Sequence, residues 1–156
     1  QDNTYLVYVR AKGYIYKDTL IHIPNAAAEL TYTIPLSALQ KEMVLQLRNI
    51  QFDHNSSVLT PSSYAELDKL VKLMQDNPSM QIELSAHTDD VGSEQYNMRL
   101  SQQRGESVRK YLIRKGVDAK RIIAKGYGKN KPLVPNDSDE NRAINRRVEF
   151  TINEIE

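Results

Sequence analysis

The stretch "SAHTDDVGSEQYNMRLSQQRG", residues 85–105, brings together two adjacent carboxylates and a later guanidinium. Asp89 and Asp90 fall in a short acidic loop. Arg104 falls on a helical stripe with Leu100, Val108 and Tyr111, spaced so that all four share one face. An uncompensated charge on an apolar face costs several kcal/mol, so Arg104 calls for an anion. Two arrangements supply one. An aspartate of the loop can pair with Arg104 and staple loop to helix. Alternatively the two charges stay apart and clamp a zwitterion, with an ammonium on Asp89 and a carboxylate held bidentately by Arg104. Arg104 stands about two turns into its helix, ~10 Å along the axis, which suits either arrangement.

Other chemistries fit these residues poorly. Glycoside hydrolysis needs carboxyl groups on opposite sides of a bond at ~5–9 Å, and neighbours on one loop do not flank anything. Ser85 and His87 share a strand face with no third group to orient them, so no nucleophilic triad is legible and no catalytic residue is assigned. His87 and Asp89 leave the chain on one side but lack a third ligand, so no metal site is expected. The chain contains no cysteine, which removes thiol catalysis and cysteine-held zinc. Its net charge is +1, so no overall field draws nucleic acid. The basic face around Arg109, Lys110, Arg114 and Lys115 has little aromatic interleaving and reads as solvated, with an anionic polymer as a secondary partner.

The elements that must position the loop and Arg104 follow from periodicity. "MVLQLRNIQF" reads as a strand whose apolar phase slips between Leu47 and Ile50, as at a bulge or a doubly buried strand. Thr60 and Pro61 supply an N-cap and first-turn proline. Tyr64, Leu67, Leu70, Val71 and Met74 then recur at helical spacing until Asn77-Pro78. "MQIELSAH" alternates, with Ile82, Leu84 and Ala86 inward. A second helix is expected over residues 96–115, stopped by Gly116, followed by the strand "RIIAKGYG". "KNKPLVPNDSDENR" reads as a polar loop, and "NRRVEFTINE" as a last strand. In that strand Arg146 shares parity with Val148 and Phe150, so it is expected inward and Arg147 outward. The order β-α-β-α-β-β implies an α/β sandwich with a mixed sheet.

Before this lies a β-rich segment, residues 1–42. "YLVYVRAKGYIY", "DTLIHI" and "ELTYTI" read as three short strands, and residues 35–42 as a linker to a domain over 43–156. At 156 residues with 40% apolar and 26% charged content, the chain is long enough for one full domain and an extension. It opens directly in strand-like alternation without a signal peptide, as expected of a piece of a longer protein whose export signal lies upstream.

"FDHNSSVLTPSS", "HTDDVGSEQYNMRLSQQRGESVRKYLIRKGV", "RIIAKGYGKNKP" and "NRAINRRVEF" together resemble the OmpA-like C-terminal domain, the family of the periplasmic domains of OmpA, Pal and MotB. The resemblance implies a βαβαββ fold that binds peptidoglycan non-covalently, with no cofactor, in the periplasm. It implies that Asp89 and Arg104 hold the ammonium and carboxylate at the free D-centre of meso-diaminopimelate. Thr88, Asn97, Leu100 and Arg146 would line or brace the pocket, and Phe52 and Asp53 would match a loop whose backbone approaches the ligand. Arg146 would either touch the ligand or hold Asp89. The alternative is a protein-interaction scaffold that keeps the fold with Asp89–Arg104 as an internal salt bridge. Ala86, and Asn141 before Arg142, stand where the family often has glycine. Alanine is small, and asparagine accepts a positive φ. Gly105 stands where the family prefers alanine. The lead-in is similar to the last strands of a carboxypeptidase-regulatory-like sandwich. A sandwich of that type before such a domain resembles outer-membrane-associated proteins of type IX secretion, which makes secretion-complex proteins candidate partners.

Overall fold

The computed structural model describes residues 3–24, 29–52 and 55–156. The chain divides into two compact units, Gln1–Leu39 and Gln40–Glu156. In the first, β1 (Asn3–Val9) and β2 (Lys17–Ile23) form an antiparallel ribbon that pairs Asn3 with Ile23 and Val9 with Lys17. The expected third strand over 29–34 does not form. Tyr32 instead donates its hydroxyl to the carbonyl of His22 at 2.6 Å. Part of the expected linker is structured: Ile15 donates to Ser37 O and Leu39 to Gly13 O, each at 2.8 Å.

The second unit runs β3 (Val44–Leu47), α1 (Tyr64–Asp76), β4 (Gln81–His87), α2 (Glu94–Arg114), β5 (Ile122–Gly128), α3 (Asp139–Asn145) and β6 (Val148–Glu154). Its four-stranded sheet has the order β3-β6-β4-β5, with β4 and β5 parallel and β6 antiparallel to both its neighbours. The mixed α/β class is as expected, and the last strand is inserted in the middle of the sheet. Ile82, Leu84 and Ala86 of β4, Val148, Phe150 and Ile152 of β6, and Leu67, Leu70, Met74, Val108 and Leu112 of the helices are buried together as the core. Among the described residues no helix is long and apolar enough to cross a membrane.

Three local readings are corrected. β3 ends at Leu47, and the phase slip marks a turn through Asn49 (φ 58) rather than a bulge. Phe52 then makes only an isolated bridge to Leu59. α2 begins two residues earlier than expected, because the Ser93 hydroxyl caps it by accepting from Tyr96 N–H at 3.1 Å. The loop before the last strand contains α3, capped by Ser138, whose side chain accepts from Asn141 N–H. Asn141 is therefore in a helical first turn and needs no positive φ.

Two close contacts set the depth of α2 on the sheet. A Cβ on Gly126 would lie 2.7 Å from Gln102 Cα and against the Gln102 backbone nitrogen. β5 is an edge strand, and α2 satisfies its outer polar groups. Arg109 Nε donates to Ile122 O at 2.9 Å and Gln102 Nε2 to Ala124 O at 3.1 Å. Gln102 Oε1 accepts from Gly126 N–H and Ser101 Oγ from Gly128 N–H. The edge is thereby closed to further strands.

Candidate functional site

The loop after β4 is held from several sides. Thr88 is 5% exposed and donates its hydroxyl to the carbonyl of Asp89 at 2.9 Å, while its N–H reaches Gly128 O. Asn97, 2% exposed in the first turns of α2, donates Nδ2 to Val91 O at 2.9 Å. Leu100 is buried beneath them. Thr88 and Asn97 hold the loop through these bonds.

Asp89 is the focus of that frame. Its Oδ1 accepts from Val91 N–H at 3.0 Å and its Oδ2 from Arg146 Nη1 at 2.6 Å. Asp90 turns the other way, to Arg142 Nε at 2.9 Å. Neither the spacing nor the composition of the polar stretch signals that second pair.

Arg104 does not pair with Asp89. Its Nε donates to the carbonyl of Ser56 at 3.0 Å, and its guanidinium lies 4.9 Å from the centroid of the Phe52 ring. Among the described residues no carboxylate comes within ion-pair distance of it. Burial pulls its pKa below the usual arginine value, and nearby Asp89 opposes that shift. Arg104, Arg146, Phe52 and His87 line one cleft of about 350 Å³. Asp53 lies outside the described residues.

The parity argument for the two arginines fails at Arg146. This residue is the C-cap of α3, with ψ 90, so strand alternation has not begun there. Its side chain is 46% exposed and reaches Asp89 from the surface. Arg147 does share its face with Glu149, as parity requires, but that face is covered. Arg147 is 7% exposed and donates Nε to Glu149 Oε1 at 2.6 Å, Nη1 to Asn145 O and Nη2 to Lys131 O. Beside it His87, 3% exposed, stacks on Tyr127 at 5.4 Å, and both its ring nitrogens lack a hydrogen bond among the described residues. Burial, with Arg147 and Lys131 nearby, pushes the His87 pKa down to about 4 against the pull of Glu149.

The OmpA family profile matches residues 51–146, the span that holds the clefted loop, α2 and both arginines. The chain belongs to the OmpA family. It is 38% identical over 104 residues to outer membrane porin F of Pseudomonas fluorescens, covering 67% of this chain and 32% of that protein. Among solved structures, a putative MotB-like protein from Desulfovibrio vulgaris superposes with a TM-score of 0.65 at 34% identity, over 72% of this chain and 73% of the other. The peptidoglycan-associated lipoprotein of Burkholderia pseudomallei gives 0.61 at 28% identity, over 70% and 88%. The chain spans about a third of the curated porin it matches, and the relatives share the OmpA-family part.

Proposed function

We propose that this OmpA-family chain binds peptidoglycan non-covalently in the periplasm, by clamping the free D-centre of a meso-diaminopimelate stem peptide between Asp89 and Arg104. It would thereby moor its parent protein to the cell wall. The observation that carries this reading is the state of Arg104. A half-buried guanidinium lines an open cleft, and among the described residues it has a carbonyl and an aromatic ring for company but no carboxylate. A ligand carboxylate would complete it. Asp89, oriented by Val91 N–H and Arg146, keeps carboxylate lone pairs for an ammonium. The internal Asp89–Arg104 staple of the alternative reading is absent from the described residues, where Arg146 takes that partner's place.

In this account Arg146 is a positioning residue that acts through Asp89. The site reads as a binder, since the neighbouring carboxylates Asp89 and Asp90 leave one loop for different partners, Arg146 and Arg142. Membership in the family and likeness to a peptidoglycan-associated lipoprotein support the same reading. An outer-membrane or type IX secretion parent accords with such a mooring, and its support is the resemblance of the lead-in to the last strands of a carboxypeptidase-regulatory-like sandwich.

Pelleting with insoluble wall sacculi tests the proposal. The chain should sediment with diaminopimelate-type sacculi and stay in solution with lysine-type sacculi. Arg104→Ala should weaken the apparent affinity for diaminopimelate-type sacculi at least tenfold, because each charge-assisted hydrogen bond contributes ~1.5–3 kcal/mol. Equal sedimentation with both wall types would refute the clamp.

A further inference from the structure

Arg104 pins residues 55–59 through Ser56 O, and on the far side of that segment lies a second groove, of about 550 Å³. Val58, Leu59, Tyr64 and Ile113 give it an apolar lining, with Lys110 and Arg114 of α2 beside them. Tyr64 stacks on Tyr111 at 5.0 Å and 10°, which leaves an aromatic surface fixed in place. The other basic side chains of this helix end are engaged. Arg109 donates to Ile122 O and Ala119 O and stands 3.8 Å from Glu106, and Lys115 stands 3.6 Å from Asp68. Lys110 and Arg114, four residues apart and both exposed, have no carboxylate within ion-pair distance among the described residues, although the Arg114 guanidinium lies 5.8 Å from the centroid of the Tyr111 ring. Two uncompensated cations beside an apolar lining suit an anion with a carbon body.

We propose that this groove is a second subsite for the same stem peptide, in which Lys110 and Arg114 take the free α-carboxylate of the γ-linked D-glutamate that precedes diaminopimelate. The proposal rests on the clamp reading of Asp89 and Arg104. The spacing agrees. Lys110 and Arg114 lie six and ten residues beyond Arg104, ~9 and ~15 Å along the helix axis. From the D-centre of diaminopimelate, back along its side chain and through the γ-linkage to the glutamate α-carbon, the ligand has about three residue-lengths of chain, ~10 Å. One extended stem peptide therefore reaches the level of Lys110, and the long Arg114 side chain, leaning toward the helix N-terminus, shortens the remaining gap. The groove would select among walls by the state of that glutamate, since amidation of its α-carboxyl removes the charge.

The test is calorimetry on the full chain with the tripeptide L-Ala–γ-D-Glu–meso-diaminopimelate and with its glutamate α-amide. The free acid should bind about fivefold tighter than the amide. In the Lys110→Gln/Arg114→Gln double variant the two peptides should bind alike, at the affinity the amide shows for the unaltered chain. Equal affinities in the unaltered chain, with binding still dependent on Arg104, would overturn the second subsite and keep the clamp. An amidation effect that depends on Lys110 and Arg114 but survives Arg104→Ala would keep the subsite and remove the clamp. A difference that persists in the double variant, or no saturable binding of either peptide, overturns the proposal.

Discussion

His87 shows how a single residue carries a cost for the site it floors. The family-like stretch "HTD" places it one residue before the bracing threonine, and strand alternation puts it on the face opposite the core. On that face His87 is nonetheless 3% exposed: Tyr127 stacks on it and the buried Arg147 lies nearby. With a folded pKa of about 4 against an ordinary 6.5, the unfolded chain binds the proton first. The stability this residue contributes is present above about pH 6.5 and is lost as pH falls toward 4. Urea unfolding at pH 7.5 and pH 4 should show the unaltered chain losing on the order of 3 kcal/mol more than His87→Leu. Equal losses would mean that His87 is not held neutral. At this scale Asp89 and Arg104 were legible from residue type and spacing. The resemblance offered Arg146 as a partner for Asp89, whereas Ser56 O for Arg104 and Glu149 for Arg147 were not legible, being set by where separate loops and strands come together.

Helix α2 is the element on which the account turns, since it carries the brace Asn97, the clamp residue Arg104 and the cations of the second groove on one rigid rod. Its position over β5 is fixed by Gly126, which has no side chain to hold α2 away, and by Gln102, which bonds the strand edge in both directions. Gly126→Ala forces the helix backbone outward and should cost about 3 kcal/mol or more, read as a lowered denaturant midpoint. It should also weaken ligand binding, since Arg104 moves with the helix. A variant as stable as the original would contradict the close approach. The long elements α1, β4, α2 and β6 were readable because their apolar residues repeat at 3.6 or 2 over enough length. The seven-residue α3 was not, since "SDENRAIN" carries a cap and acidic first turn but too little apolar periodicity to stand out from a polar loop. β3 was over-extended because Ile50 and Phe52 are apolar for the cleft rather than for a strand.

At the scale of the molecule, the described residues from 40 to 156 hold nearly all of the buried apolar side chains, and β1 and β2 form a ribbon with Tyr8 62% and Leu20 69% exposed. A two-stranded ribbon contributes little stability by itself, so the wall-binding reading belongs to the second unit alone. That unit bears the half-buried cation without a carboxylate among the described residues, the braced aspartate 89 and the cleft between the elements that carry them. The measurement that bears most directly on it is calorimetric titration of the chain with a tetrapeptide stem ending in meso-diaminopimelate and D-alanine, beside its lysine-containing counterpart. Saturable binding of the first is expected, with at least tenfold weaker binding of the second and loss of the difference in Asp89→Ala and Arg104→Ala. Heat that is absent, or equal for both peptides and indifferent to both substitutions, would contradict it.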